Sequence, residues 1–414
     1  GESVPEQIVA CKVAVNNPSR DKLIFDVDNL PDDLFVQPGE KAPNRVGFSK
    51  YASYINTISE QKYGRPLVLA MSADLADSTN ISGFAKGYNG AEDKGLYDKN
   101  TNPESPLMPQ GITEFTNAGM MAGAATVNFN EDTYEDFNGF FGAVSTYGSF
   151  SYLKYGPMRL FSQIAQDSQL KVGKVIWVAG HSGPETAEDS RTHFGIFAPG
   201  VTQLFPDGHV INLYPWEHNE VAPSLAAALS TDVQLIALHL TRPPVMIPDR
   251  EALGMAPHMD AAKGAYIIKD FDPSMDKEGV VIVRGTSSTN SIVQLLPQLI
   301  QEGPNVKVVA AVSWELFQRR SKEYRNSVIS GSEWHDAMII TNGALQLMYK
   351  WIANRIVEEY SMSSDFDNRW RTGGSLEQIV AEAHLDPDSI WKGINRFAKD
   401  RKKRLNVLKA SLPV

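Results

Sequence analysis

Three stretches of this chain carry residue types that could do chemistry. The first, GHSGPETAEDSRTH (180–193), gathers two histidines, two glutamates and an aspartate in one loop. Histidine and carboxylate are zinc ligands, but His181 and His193 stand too far apart for a helical pair and no cysteine assists. Ser182 could suggest a nucleophile elbow, yet Pro184 stands where that turn needs its second glycine. The second stretch, FGAVSTYGSFSYLKYG (141–156), is dense in aromatic rings beside glycine and serine. Such rings either pack a core or form the wall of a planar ligand's pocket. The third, GITEFTNAGMMAGAA (111–125), places Glu114 at the mouth of a small-residue apolar run. A carboxylate there is favoured by the helix dipole alone. It is also where a buried acid could hold a proton for a ligand.

The elements around these stretches decide where the side chains point. PLVLAMSADL, KVIWVAGH, HVINLYPW and VQLIALHL read as short buried strands. SKYASYINTISEQ, NAGMMAGAATVNF, LKYGPMRLFSQIAQ and HNEVAPSLAAALS read as helices between them, the third starting near Pro157. Alternation of this kind predicts a parallel sheet wrapped by helices. Between about 245 and 275 the composition turns to Pro, Met, Asp and Gly, which marks a boundary. GVVIVRG, NSIVQLLPQLIQE and VKVVAAVSW then form a second strand–helix–strand unit, and the stretch from about 340 to 410 reads as mostly helical. The expected fold class is α/β: two consecutive three-layer domains with mostly parallel sheets. Residues 1–44 form an irregular connector, 45–250 the first domain and 275–414 the second. In such sheets ligands bind beyond the carboxyl ends of the strands. The segments at 72–80, 180–193, 214–220 and 241–244 therefore matter most.

Bulk properties narrow the function. Of the 414 residues, 39 are Lys or Arg and 49 Asp or Glu, a net charge of −10, so no basic stripe exists to neutralise phosphates of a nucleic acid. The cluster KDRKKRLNVLK (399–409) reads as a solvated helix face. The single cysteine, Cys11, allows no internal disulfide, and a reducing, cytoplasmic setting is expected. GESVPEQIVACKV lacks the pattern of a signal peptide, and no apolar run approaches the roughly 18 residues of a membrane span.

Six segments, in order, resemble transketolase, a thiamine-diphosphate enzyme. SADLADSTN is similar to that family's Ser-Ala-Asp-Leu-Ala-Pro-Ser-Asn, and GITEFTNAGMMAGAA to its Gly-Val-Arg-Glu-Phe-Gly-Met segment. STYGSFSYLKYG resembles Ser-Thr-Phe-Leu-Met-Phe-Val-Glu-Tyr. GHSGPETAEDSRTH matches the family's His-Asp-Ser…Gly-Glu-Asp-Gly-Pro-Thr-His loop without a gap. ALHLTRPP and EYRNSVI resemble the strand ending in Ser-Arg-Gln and the later Ala-Tyr-Arg-Glu-Ser-Val-Leu. The likeness runs from about 45 to about 330, over the pyrimidine-binding and C-terminal domains. It implies a thiamin diphosphate-binding fold followed by the family's C-terminal domain.

The resemblance also implies roles. Glu114 falls on the glutamate that hydrogen-bonds the cofactor's aminopyrimidine ring. A carboxyl sharing a proton with the ring nitrogen eases the tautomer shift by which the cofactor's own amino group deprotonates the thiazolium carbon, and a partly desolvated glutamate suits that job. Tyr147 and Phe150 match the two aromatics of the cofactor pocket, and Asp74 an acid near the cofactor. His181 and His193 match histidines of the substrate channel. Asp189 matches the aspartate that recognises a sugar hydroxyl, and Ser78, Arg45 and Arg242 the phosphate clamp, a role that suits the bidentate fork of arginine. The implied activity is transfer of a two-carbon ketol unit between sugar phosphates by a homodimer. Two departures stand out. Ser190-Arg191 replaces the family's Gly-Pro, setting a positive charge beside the sugar site. No Gly-Asp-Gly segment is present to hold Mg²⁺ or Ca²⁺ and the diphosphate. The metal ligands are therefore expected outside this chain, in a diphosphate-binding domain or subunit acting in trans. Two other readings remain: a β-type subunit of a 2-oxo-acid dehydrogenase, which needs no sugar-phosphate clamp, and a non-catalytic assembly or regulatory module with the same fold.

Overall fold

The strands are continuous apolar runs because they are covered on both faces, as parallel strands must be. The computed structural model describes residues 17–109, 111–129, 137–168, 173–186 and 190–411. A two-residue strand, β1 (Lys41–Ala42), leads into the first sheet, whose strands are β2 (Val68–Ser72), β3 (Phe141–Tyr147), β4 (Val175–Gly180), β5 (Val210–Leu213) and β6 (Leu235–His239). They are all parallel, in the order β2-β3-β4-β6-β5. Strand β7 (Val245–Met246) then pairs antiparallel with β1. The second sheet contains β8 (Ala265–Lys269), β9 (Val280–Arg284), β10 (Lys307–Ala311), β11 (Ala337–Thr341) and β12 (Met362–Ser363), in the order β12-β11-β9-β10-β8. Only β8 runs antiparallel in it. This is the predicted α/β class.

Helices cover the sheets with the residues their spacing selects. In α1 (Asn44–Tyr63) Phe48, Tyr51, Ala52 and Ile55 turn inward at helical spacing, and Gly64 ends the helix in the left-handed conformation. Asn56 of α1 is fully buried and fully used. It donates to Val68 O and Phe84 O and accepts from the amides of Leu67 and Val68, which pins the start of β2. Helix α2 (Glu114–Thr126) lies close on β3 because both surfaces are small. A Cβ on Gly142 would stand 2.5 Å from Met121 O. Ala118, Ala122 and Ala125 face this sheet, whereas Gly119 and Gly123 look outward with Phe115 and Met120.

Two details differ from the sequence reading. Helix α3 (Tyr155–Asp167) begins two residues before Pro157, after a run of 3₁₀ turns over Gly148–Lys154. Pro157 then falls in the first turn, where its missing N–H costs nothing. The stretch from 340 is less helical than its composition suggested: it finishes β11, makes 3₁₀ turns over Leu345–Trp351 and contributes β12 before the helices from Leu376 onward. The described part of the lead-in is also tied down. Ile24, Phe25, Leu30 and Leu34 join the first domain's core, Tyr51 Oη donates to Ile24 O, and Asp21 binds Lys62 and Tyr63. Among the described residues no helix is long and apolar enough to cross a membrane.

The domains meet through buried polar groups. Arg250 donates to Glu217 (2.8 Å) and Glu220 (2.9 Å), and Tyr266 of β8 donates to Glu220 while accepting from Trp216 Nε1 (3.0 Å). All of these are buried. Removing the cation would leave two buried carboxylates facing each other. Arg250→Ala is therefore expected to destabilise the chain by about 3–5 kcal/mol, the range for breaking a buried pair from one side. Equilibrium urea unfolding reads this directly, and a loss below about 1 kcal/mol would show that the cluster relaxes at little cost.

Candidate functional site at the carboxyl end of the first sheet

The loops after β2, β3, β4 and β6 converge at one end of the first sheet. Strand β3 divides this end into two faces, because its last two residues point to opposite sides.

On one face lies Glu114, the first residue of α2. Its side chain does not cap the helix. Thr113 makes no cap bond, and Glu114 Oε1 instead accepts from Thr146 Oγ1 across the sheet at 3.0 Å. Glu114 is only 7% exposed. Asn117, one turn on, fixes the helix start by donating to Ser72 O (3.1 Å) and Gly111 O (2.9 Å). A carboxylate in the first turn still gains from the dipole. Its burial and its bond to β3 are what a helix-end residue does not need.

On the other face stand Tyr147 and the residues around it. Tyr147 Oη shares a hydrogen bond with Ser78 Oγ (2.9 Å), and Arg45 donates to Ser78 O (2.6 Å). His181 stacks on Tyr147 at 3.9 Å with an interplanar angle of 13°, and His193 tilts against the same ring at 4.9 Å. Phe150 meets His193 edge-on at 6.2 Å. Arg45 and Arg242 directly follow Asn44 and Thr241, which are joined by a 2.9 Å bond from the Thr241 amide to Asn44 Oδ1. Six predicted residues, Ser78, Tyr147, His181, His193, Phe150 and Arg45, thus form one contact chain, and Arg242 follows Thr241 in the neighbouring loop. Tyr147 groups with Ser78 and Arg45, and His181 covers its ring. Asp74 is exposed in the loop after β2, with a left-handed φ of 62°. His181 also has a positive φ, 58°. Such backbone in non-glycine residues is uncommon and clusters at functional sites. Arg191 is exposed beside His193. Asp189 lies outside the described residues. Close packing of two loops shapes this face: a Cβ on Gly195 would stand 2.6 Å from the Gly148 backbone.

A buried polar layer beneath both faces was not singled out from the sequence. Lys154 is fully buried and donates to Val144 O (3.2 Å) and Val178 O (2.7 Å). Burial pushes its pKa well below the ordinary lysine range, and the Glu114 carboxylate pulls the other way. His239 lies near Thr202 Oγ1 (3.3 Å) and Asn212 Oδ1 (3.4 Å), and its ring stacks on Tyr214 at 4.2 Å. Burial, Arg284 and Lys154 hold it well below the usual histidine value. Glu185 crosses to the second domain. Its Oε1 accepts from the Ser287 amide at the start of α4 (Thr286–Gln301) at 2.8 Å and from Asn342 Nδ2 at 2.7 Å. A lone lysine in an aromatic-rich run was the one visible signal for Lys154.

Two α/β domains in sequence, with an acid, aromatic rings and arginines at the carboxyl end of the first sheet, define a two-domain α/β protein class. The family model for the transketolase pyrimidine-binding domain matches residues 54–246, and that for the transketolase-like C-terminal domain matches residues 264–364. The chain belongs to the transketolase family, of which it carries these two domains. The chloroplastic transketolase of Craterostigma plantagineum is 24% identical over 338 residues, covering 73% of this chain and 62% of that protein. The chloroplastic transketolase of Zea mays is 31% identical over 198 residues, covering 46% and 26%. The fold matches transketolase from Leishmania mexicana with a TM-score of 0.66 at 17% identity, over 91% of this chain and 47% of that one. A Pichia stipitis transketolase in complex with sedoheptulose 7-phosphate gives a TM-score of 0.65 at 17% identity, over 92% and 50%. The chain thus spans about half the length of these solved structures and less than two thirds of the curated relatives.

Glu185 yields a test of the interdomain tie. Burial holds its pKa above the ordinary 4.5, against the opposing bonds from Ser287 and Asn342. Because the folded value is raised, the stability that Glu185 contributes is complete below its unfolded value. It is lost as pH rises through the folded one. Glu185→Gln keeps an acceptor for both donors and cannot ionise. Thermal unfolding from pH 4.5 to about 8 is expected to show a decline in the wild type that flattens in the variant. Parallel curves would exclude Glu185 as its source.

Proposed function

We propose that this chain supplies the pyrimidine-binding and C-terminal part of a transketolase-like transferase, which moves a two-carbon ketol unit between sugar phosphates. The observation that carries this reading is the setting of Glu114: buried, bonded through Oε1 to Thr146, and with Oε2 lacking a protein partner among the described residues. That oxygen fits the protonated ring nitrogen of an aminopyrimidine. The half-buried Phe150 fits the ring face. When bound, thiamine diphosphate would supply the carbanion equivalent for ketol transfer.

The chain's own residues would then divide the work. Glu114 would share the ring nitrogen's proton through its free carboxyl oxygen, while Thr146, bonded to the other oxygen, keeps the carboxylate aimed. Ser78, Arg45 and Arg242 grip the phosphate of the sugar, with Tyr147 supporting Ser78 from below. His181 and His193 line the path between clamp and acid. Asp189 would recognise a sugar hydroxyl. The sequence offers no Gly-Asp-Gly segment for the diphosphate and its Mg²⁺ or Ca²⁺. A diphosphate-binding domain or subunit in trans would supply both.

The outer face of α2 supports a homodimer. Ile112 is 78% exposed and Phe115 61% exposed, with Met120 beside them. Leu160 and Ile164 of α3 extend the apolar surface, and Gly119 and Gly123 give it a flat, closely approachable centre. Sedimentation at micromolar concentration should show a dimer, and Phe115→Glu should convert it to monomer. A wild-type monomer would count against this assembly.

Two substitutions separate the proposed roles in the reconstituted enzyme. Glu114→Gln keeps the shape but cannot share its proton. Hydrogen–deuterium exchange at the thiazolium carbon should slow by roughly 10²- to 10⁴-fold, the usual span of a general acid–base contribution. Arg242→Ala should leave that exchange intact and raise KM for phosphorylated sugars roughly 10- to 100-fold, as for loss of a charge-assisted hydrogen bond. Wild-type exchange in Glu114→Gln would reduce the acid to a helix-end feature.

A further inference from the structure

Lys154 has no carboxylate in direct contact among the described residues, although no part of it reaches solvent. An ammonium group in that position is costly unless something compensates it. Two carbonyls do so in part, one from β3 and one from β4, and the ring of Trp177 lies 5.6 Å away. His239 at the end of β6, held well below the usual histidine value by burial, brings no negative charge. The acid is Glu114. Lys154 donates to Val144 O and Glu114 accepts from Thr146, two residues further along β3, so both groups are fixed to the same short piece of strand.

We infer that Lys154 is a positioning residue, the buried counter-cation of Glu114, standing behind the carboxylate while Thr146 fixes one of its oxygens. The inference rests on the reading of Glu114 as the partner of a basic ring nitrogen. A proton shared between that nitrogen and Glu114 is repelled by the ammonium group, and its mean position shifts toward the ligand. Lys154 touches neither ligand nor reacting atoms. It acts through the charge it places behind the acid. The alternative is that Lys154 merely straps β3 to β4 through the two carbonyls, in which case its charge and that of Glu114 are indifferent to each other.

The two cases differ in the apo chain. Side-chain ¹³C and ¹⁵N signals of labelled lysines would be followed against pH in the full chain, with Lys154→Arg used to assign the resonance. Lys154 is expected to titrate below the other lysines, and in Glu114→Gln to titrate lower still, because the variant removes the negative charge and keeps the volume. Thr146→Val, which preserves the charge, should leave the Lys154 midpoint near that of the wild type. An unchanged Lys154 midpoint in Glu114→Gln overturns the inference. Because Lys154 itself is retained in that variant, the result does not depend on whether the fold survives its loss. A coupled pair in a reconstituted enzyme that fails to bind thiamine diphosphate would count against the cofactor reading alone.

Discussion

The site depends on where β3 ends. Its last two residues, Thr146 and Tyr147, point to opposite faces of the sheet, so one strand delivers the partner of Glu114 on one side and the partner of Ser78 on the other. A slip of one residue would exchange the two faces and break both. The register is held by the ladders to β2 and β4, which pair Ser72 with Ser145 and Tyr147 with Gly180. It is also held by buried hydroxyls: Ser145 Oγ bonds Ser72 Oγ at 2.9 Å, and Thr79 Oγ1 bonds Ser145 Oγ at 2.8 Å. These bonds reach into the loop after β2 that carries Asp74 and Ser78. Polar residues inside an apolar strand thus set the geometry of the loops above it.

The second domain extends this control. Thr286 at the start of α4 bonds Thr241, whose amide bonds Asn44. The residues preceding Arg45 and Arg242 are therefore held together by the other domain. Glu185 ties the loop that bears His181 to the same helix. Further along that loop, Phe194 and Ile196 pack on Ile379. Both proposed phosphate-binding arginines and both histidines hang from groups fixed at the domain interface. A change in the seating of the second domain would reach the site through short, buried bonds rather than through flexible loops.

What the sequence made legible follows from what is local. Buried parallel strands are continuous apolar runs, so the sheet could be read, and the polar residues just after them marked the site. Motif order then placed Glu114, Ser78, His181 and His193 together, and the geometry groups the last three around Tyr147. Lys154 was not legible, because a lysine's burial is decided by which strands meet above it and nothing in SFSYLKYG specifies that. The side taken by Tyr147 was equally hidden: an aromatic residue near a strand end could stack on a ligand or on His181. The 3₁₀ run before Pro157 was missed because proline marks a first turn without saying which of its positions it occupies.

The open face beside Glu114 sets a condition on whatever completes the site. Ile112 and Phe115, the neighbours of this acid on the chain, are among the most exposed apolar side chains of the molecule. Covering them is favourable by roughly 25 cal/mol per Å² of apolar area removed from water. The same covering would strip water from Glu114 Oε2, and leaving a carboxylate oxygen unpaired there costs at least about 1–3 kcal/mol. Burial of this face is most favourable when the occupant brings a hydrogen-bond donor to that oxygen. A purely apolar partner surface leaves that cost in place, whereas a surface that donates to the oxygen removes it.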